Sequence, residues 1–228
     1  MEKIDVIVPV YNESNVIESV LNNLCQYDYL YNIIIVNDGS TDCTNEICAK
    51  FPIKILQQEY NLGQGAALRL GINYSVNNNS DIICTFDSDG QHKVKDLLKM
   101  INILREKNFD VVLGSRFLNK NHNIPLKRVI LLKFAIFFSN TLFGGRFTDV
   151  HNGLRVFKTS VIHKIDLSAD RMEHASFISR SIYENNLNFI EVPVDILYTN
   201  YSISKGQKLN DILKIGIRLI KIRFKNLI

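Results

Sequence analysis

The stretch Asp81-Ile82-Ile83-Cys84-Thr85-Phe86-Asp87-Ser88-Asp89-Gly90-Gln91-His92 passes from an apolar run straight into an acid-rich turn. Apolar side chains at consecutive rather than alternating positions indicate a strand buried on both faces, here over Asp81–Phe86 and ending at Asp87. Outward from it the same form recurs at Ile4–Val10, Ile33–Val36, Ile53–Leu56 and Phe109–Gly114. Helical patterns cover Ser14–Cys25 and Gly65–Asn77, and Thr41 or Asp42 is a candidate cap for a further helix. This alternation predicts an α/β fold, a mostly parallel sheet with helices on both faces. Right-handed crossovers place the loops after the strands at one edge, where such sheets bind ligands. Asn12-Glu13, Asp38-Gly39 and Asp87-Ser88-Asp89 are all expected there.

The second half is less regular. Leu126–Phe143 is apolar but carries Lys127, Arg128 and Lys133; Arg171–Asn185 has a helical pattern, and Phe189–Val194 has the form of a strand. The 228 residues are 46 % hydrophobic and 22 % charged, a balance that fills a sizeable core. No repeat or low-complexity linker divides the chain, so a single domain over residues 1–205 is expected, with 206–228 as a basic amphipathic C-terminal helix. The net charge of +4 is too mild for wholesale nucleic-acid binding. Cys25, Cys43, Cys48 and Cys84 show neither a CxxC pair nor a disulfide framework, which predicts reduced thiols in a cytoplasmic protein. The chain begins without a signal-peptide pattern, and no uncharged apolar run reaches the roughly 18–20 residues of a membrane span.

Asp87 and Asp89, one residue apart at a strand end, are suited to a hard cation such as Mg²⁺ or Mn²⁺, with Gln91 adding an amide oxygen. Two such aspartates also occur as plain turn caps. Asp38 could accept hydrogen bonds from a base or ribose, and Tyr11 is either a packed ring or a base contact. Asn61-Leu62-Gly63-Gln64-Gly65-Ala66 lacks the spacing of a Rossmann or P-loop phosphate cradle, but its glycines permit close backbone approach to a ligand.

Taken in order, Val8-Pro9-Val10-Tyr11-Asn12-Glu13, Val36-Asn37-Asp38-Gly39-Ser40-Thr41-Asp42, Asn61-Leu62-Gly63 with Gly65-Ala66, and Phe86–His92 resemble the family 2 glycosyltransferases. Gly114-Ser115-Arg116, Pro125-Leu126-Lys127-Arg128, Thr148-Asp149 with Asn152-Gly153-Leu154-Arg155, and Glu191-Val192-Pro193-Val194 extend the likeness across residues 4–205. It is strongest to the branch holding dolichol-phosphate mannosyltransferase and the bacterial polyprenyl-phosphate and surface-polysaccharide transferases. The resemblance implies a GT-A-type fold and an inverting, metal-dependent transfer of a sugar from a UDP- or GDP-sugar donor. It implies that Pro9, Tyr11, Glu13, Asp38, Gly65 and Asp87 hold the donor nucleotide, and that Asp87, Asp89 and Gln91 hold Mn²⁺ or Mg²⁺ and the diphosphate. Arg116, Arg128, Arg155 and Lys205 would meet phosphate or acceptor. Asp149 is then the first candidate for general base, or else a structural anchor of the Asn152–Arg155 loop, and Glu173, beside His174, is the second.

Thr199 stands where the polyprenyl-phosphate branch carries an arginine, so the expected acceptor is either a lipid-linked glycan or a polyprenyl phosphate, in cell-surface polysaccharide or glycolipid synthesis. The competing reading is a non-catalytic nucleotide-sugar-binding partner subunit of another transferase. A nucleotidyltransferase would need a Gly-rich basic loop after the first strand, and Pro9–Glu13 has none. In the tail, Lys214, Arg218, Lys221 and Lys225 share one helix face amid apolar residues. Such a helix either rests on an anionic membrane, at the inner face for a cytoplasmic protein, or packs on its own domain.

Overall fold

The computed structural model describes residues 2–119 and 126–198, with the side chains of residues 126–128 and 143 left aside. The expectations for Lys205, Thr199 and the segment 206–228 lie outside the described residues, as does the Arg128 side chain. Strands β1 (Ile4–Val10), β2 (Asn32–Asp38), β3 (Lys54–Gln58), β4 (Ile82–Thr85), β5 (Val111–Ser115), β6 (Arg155–Lys158) and β7 (Phe189–Pro193) form one sheet in the order β3-β2-β1-β4-β6-β5-β7. Helices α1 (Ile17–Cys25), α2 (Thr44–Cys48), α3 (Gln64–Asn77), α4 (Val94–Lys107), α5 (Leu126–Phe143) and α6 (His174–Glu184) complete it.

β1 runs parallel to β2 and β4, β2 to β3, and β5 to β7. The expected parallel sheet is therefore present, with one strand missing from the sequence reading. β6 runs antiparallel between β4 and β5, pairing Arg155 with Thr85 on one side and Leu113 on the other. Its four residues carry too little apolar pattern to announce a strand, and Arg155 had been assigned to a ligand.

The period of two in each strand splits the core into two layers. Val6, Val8, Ile33, Ile35, Cys84 and Val156 face α1 and α4, whose buried positions (Ile17, Val20, Leu21, Leu24; Val94, Leu97, Ile101, Leu104) follow helical spacing. Ile7, Ile34, Val36, Ile83 and Phe157 face α3 and α6 on the other side. Helices thus cover both faces, as the consecutive apolar runs require.

Pro9 lies in the central strand without disturbing it. Ile7 O accepts Phe86 N at 3.0 Å, so positions 7 and 9 present their main chain to β4. The β1–β4 pairing stops at Ile7 and Thr85. The missing N–H of Pro9 falls beyond that last pair, where the ladder needs no donor. From there the chain turns out through Asn12, at φ 52°, and the loops after β1 and β2 are sewn together. Asn12 N donates to Ser40 Oγ at 3.0 Å, Thr41 N to Asn12 Oδ1 at 2.8 Å, and Glu13 N to Thr44 Oγ1 at 2.8 Å. Asp42 accepts Ser14 N and Thr44 N, serving the starts of two helices, and these hydrogen bonds outweigh its partial burial and lower its pKa to about 2.

The cysteines are all free. No helix among the described residues is long and apolar enough to cross a membrane.

α3 sits close on the sheet because Gly71 has no side chain; a Cβ there would lie 2.5 Å from Ile7 Cγ2 and 3.0 Å from Val36 Cγ2. Gly71→Ala gains about 1 kcal/mol of helix propensity but overpacks two fully buried strand residues, at about 1–3 kcal/mol. A net destabilisation is expected in urea unfolding; a stabilised variant would show that α3 can lift from the sheet freely.

Candidate active site

The carboxyl edge of β2 and β3 is organised by Asp38. Its Oδ1 accepts Leu62 N at 2.8 Å and its Oδ2 accepts Gly63 N at 2.9 Å, so a buried carboxylate shapes the loop that leads into α3. Gly39, at φ 70°, lets the Tyr60 main chain pass against it, since a Cβ there would stand 2.6 Å from Tyr60 C. Tyr11 is 42 % exposed and Tyr60 72 %, both in loops bordering this turn. Glu13 is buried.

Gly65 allows a close approach of the chain to itself: a Cβ at Gly65 would meet Ala169 O at 2.0 Å, and Ala66 N donates to Asp170 O at 2.9 Å. Arg69 fastens the same segment, donating to Leu167 O at 3.0 Å and pairing with Asp170 at 2.6 Å. The glycines after Asn61 therefore seat residues 167–171 against the start of α3.

At the end of β4 stands the acidic pair. Asp87 Oδ1 accepts Gln64 Nε2 at 2.9 Å, and Oδ2 accepts His92 Nε2 at 2.9 Å. The carboxylate lies on the Gly153 main chain so closely that a Cβ at 153 would fall 2.2 Å from Oδ2. Thr85 Oγ1 secures that neighbour by donating to Gly153 O at 2.5 Å. Burial works to raise the Asp87 pKa, but the His92 hydrogen bond and the charges around it, Arg155 among them, bring it below the usual carboxylate value. Asp89 moves the other way, raised by burial and by the negative charge of Asp87. Gln91 donates its main-chain N to Asp89 Oδ1 at 3.0 Å and its Nε2 to Oδ2, which leaves its amide oxygen as the remaining ligand atom. Among the described residues no cluster of three or more His, Cys, Asp or Glu side chains could hold a metal. The oxygen donors present fit a hard cation that keeps the rest of its shell for water or substrate.

A second charged centre lies across β6. Arg116 follows β5, and its Nε and main-chain N both donate to Asp149 Oδ2, at 2.6 and 3.0 Å. The Asp149 side chain is fully buried and that of Arg116 is 8 % exposed. Arg155 lies between the two centres. It is buried, its pKa lowered to about 10 by that burial against the opposing influence of Asp87 and Asp149. Its Nη2 donates to Val150 O at 3.3 Å. Glu173 is buried at the start of α6, where its carbonyl accepts Ser176 N at 3.0 Å. In this region the buried atoms His92 Nδ1, Asp149 Oδ1, His151 Nδ1, Asn152 Nδ2 and Arg155 Nη1 have no partner among the described residues. Such a concentration of unsatisfied groups marks a place completed by water or by a ligand.

Two of the expected residues lie in the interior. β6 carries Arg155 between β4 and β5, with its Nη1 unpartnered among the described residues. Asp149 is fully buried, with Oδ2 engaged by Arg116 and Oδ1 unpartnered among the described residues. The sequence reading gave no role to Gln64, His92, His151, Gly153 or Glu191. Glu191 had a visible signal, a charged residue inside an apolar strand; the others were legible only as letters within motifs.

His151 and His174 are held neutral, both lowered to about 4, chiefly by burial and in part by nearby Arg155. The unfolded chain takes protons on these rings near pH 6.5 and the folded chain only near 4. Their contribution is therefore complete above pH 6.5 and is lost progressively as pH falls toward 4, by at most roughly 3 kcal/mol for the fully enclosed His174. Urea unfolding of His174→Asn is expected to show a flatter slope over that window than wild type; an identical slope would mean the ring titrates normally.

The sequence profile "Glycosyl transferase family 2" matches residues 5–166. An uncharacterized protein of Methanocaldococcus jannaschii is 38 % identical over 224 residues, covering 96 % of this chain and 91 % of its own. The UDP-N-acetylglucosamine–dolichyl-phosphate N-acetylglucosaminyltransferase of Methanococcus voltae is 33 % identical over 239 residues, covering 95 % and 94 %. Among solved structures, glucosyl-3-phosphoglycerate synthase of Mycobacterium tuberculosis, in complex with Mn²⁺, UDP and glucosyl-3-phosphoglycerate, superposes with a TM-score of 0.73 at 15 % identity, over 96 % of this chain and 77 % of that one. A parallel sheet with one reversed strand, the acidic pair at the end of β4 and these matches lead to one assignment: the chain belongs to the family 2 glycosyl transferases and is a glycosyltransferase.

Proposed function

We propose that this glycosyltransferase moves a sugar from a nucleotide sugar to the phosphate of a polyprenyl lipid. The observation that carries the reading is the Arg116–Asp149 pair. A hydroxyl acceptor must lose a proton as it attacks, and its base must be free to take it. Asp149, the first candidate for that task, is fully buried and its Oδ2 is engaged at 2.6 Å by a guanidinium. A phosphate acceptor arrives already anionic and needs a cation to orient it instead. Arg116, fixed by Asp149, is suited to that, and the family resemblance gives Arg128, near the start of α5, the same role. The relative from Methanococcus voltae bears a dolichyl-phosphate transferase name, which supports the same acceptor class.

On the donor side, Tyr11, Glu13, Asp38 and the loop at Gly63–Gly65 border the edge assigned to the nucleoside. Asp87, Asp89 and Gln91 would hold Mg²⁺ or Mn²⁺. The chemistry supplied by such a cation is neutralisation of the charge that builds on the diphosphate as the sugar departs. Gln64, His92 and Gly153 fix the Asp87 carboxylate in advance.

α5 supplies a surface for the lipid. Ile130, Phe134 and Phe137 are 62 %, 57 % and 69 % exposed at helical spacing, so one face of the helix is an apolar stripe. α5 lies in the chain between Arg116 and Asp149, with exposed Lys133 alongside. We assign this stripe to peripheral contact with a membrane, apolar side chains in the acyl boundary and basic ones at the headgroups.

Incubating the protein with Mn²⁺, a panel of UDP- and GDP-sugars and a short-chain polyprenyl phosphate should give an organic-soluble sugar phosphate lipid with one donor, abolished by chelation or by Asp89→Ala. Transfer to a glycan hydroxyl with none to the lipid phosphate would discard this acceptor. In vesicle flotation, Phe134→Ser/Phe137→Ser should release the protein from anionic liposomes without changing its melting temperature. Undiminished flotation would remove the stripe from the membrane contact.

A further inference from the structure

We infer that Glu191 is a positioning residue that aims Arg116 at the acceptor phosphate through Asp149, a role that rests on the acceptor reading above. Glu191 is the charged residue of β7, in the sequence Phe189-Ile190-Glu191-Val192-Pro193. Its Oε1 accepts Thr148 N at 2.9 Å and Asp149 N at 3.0 Å, and its Oε2 accepts Thr148 N at 2.8 Å. A carboxylate gripping two consecutive amides fixes the plane of the peptide between them, and with it the direction in which Asp149 leaves the main chain.

β7 pairs with β5 in a register that sets Leu113 opposite Glu191 and Ser115 opposite Pro193. The strand that delivers Arg116 is therefore hydrogen-bonded to the strand that holds the Asp149 turn. Ser115 Oγ and Thr148 Oγ1, 2.7 Å apart, close the same arrangement a second time. Asp149 Oδ2 then meets Arg116 Nε and N, and the Tyr198 side chain is a further hydrogen-bond partner of the same guanidinium. A forked donor held in this way presents a fixed direction to an anion, which a freely rotating side chain does not.

The carboxylate form matters. In Gln, the NH₂ group would confront one of the two amide N–H groups, donor against donor, and the turn would have to shift. Burial, and the like charge of Asp149, push the Glu191 pKa above the usual value despite the amide hydrogen bonds that lower it. A half-buried negative charge next to another is an expensive way to stabilise a turn that a neutral side chain could cap. Held against that opposition, it suits a requirement of geometry better than one of stability.

The test is a double-mutant cycle on the full chain with Glu191→Gln, Arg116→Lys and the double variant. It measures kcat and KM for a short-chain polyprenyl phosphate, nucleoside diphosphate affinity with Mn²⁺ by calorimetry, and melting temperature. Glu191→Gln should lower kcat/KM for the acceptor by about 10- to 100-fold, the range for a displaced orienting group, while nucleotide affinity stays within about twofold. The double variant should be no worse than Arg116→Lys alone, because both changes remove the same aim. Additive losses, or a parallel fall in nucleotide affinity and melting temperature, would reduce Glu191 to a general support of the fold and overturn the role. Thr148→Val, which frees the same turn from Ser115 and leaves Glu191 intact, should show the same split by about threefold or more; an unchanged acceptor KM there would equally overturn it. Full activity in Arg116→Lys faults the acceptor reading itself, whereas full activity in Glu191→Gln alone faults only the positioning.

Discussion

A fully buried aspartate facing an almost fully buried arginine is the contact on which the β5–β7 half of this molecule turns. Placing two ions out of water costs several kcal/mol each, and their attraction repays it only when further hydrogen bonds satisfy them. Here the arrangement is met from three elements. β5 ends at Ser115 and hands over Arg116, the Thr148-Asp149 turn supplies the carboxylate, and β7 supplies Glu191 to hold the turn. Removing either ion would leave the other uncompensated, at about 3–5 kcal/mol. A hydrophobic pair of similar volume would fold at least as well, so function is the better account of why the charges are there.

The single reversed strand explains how two charged centres come to lie side by side. β6 runs back from the loop that carries Asp149, Asn152 and Gly153, and lies antiparallel between β4 and β5. The register brings Arg155 opposite Thr85 and Leu113, and Gly153 under Asp87. One short segment thus ends the metal-suited site, leads from the Asp149 turn and places a cation between their carboxylates. Gly153 is the point where the two sides touch, since any side chain there would occupy the space of the Asp87 carboxylate.

Much of this frame was legible in the sequence, for a definable physical reason. Strands buried on both faces must be apolar at consecutive positions, so β1, β2 and β4 declare themselves, and the loops after them fall at one edge by chirality alone. The acidic pair declares itself because two carboxylates one residue apart at a strand end have few uses. What was not legible depends on partners distant in the chain. Arg155 has the letter of a phosphate ligand, and only its pairing with Thr85 and Leu113 makes it an interior cation. Gly65 stands in a loop resembling a phosphate cradle, and only the approach of Ala169, about a hundred residues later in the chain, shows what its missing Cβ accommodates. Asp149 has the position of a base, and its engagement by Arg116 is invisible without the fold.

That last difference bears on the chemistry. A transferase that activates a hydroxyl needs a base, whereas an acceptor that brings its own negative charge needs a cation held in place. The Asp149 carboxylate engages Arg116 through Oδ2, so the guanidinium is not free to rotate. An anionic acceptor gains from that fixity. In the proposed reading the apolar stripe on α5, between these two residues in the chain, would give such an acceptor a place for its hydrocarbon, so that the charge and the surface both bear on the choice of a lipid phosphate over a sugar hydroxyl.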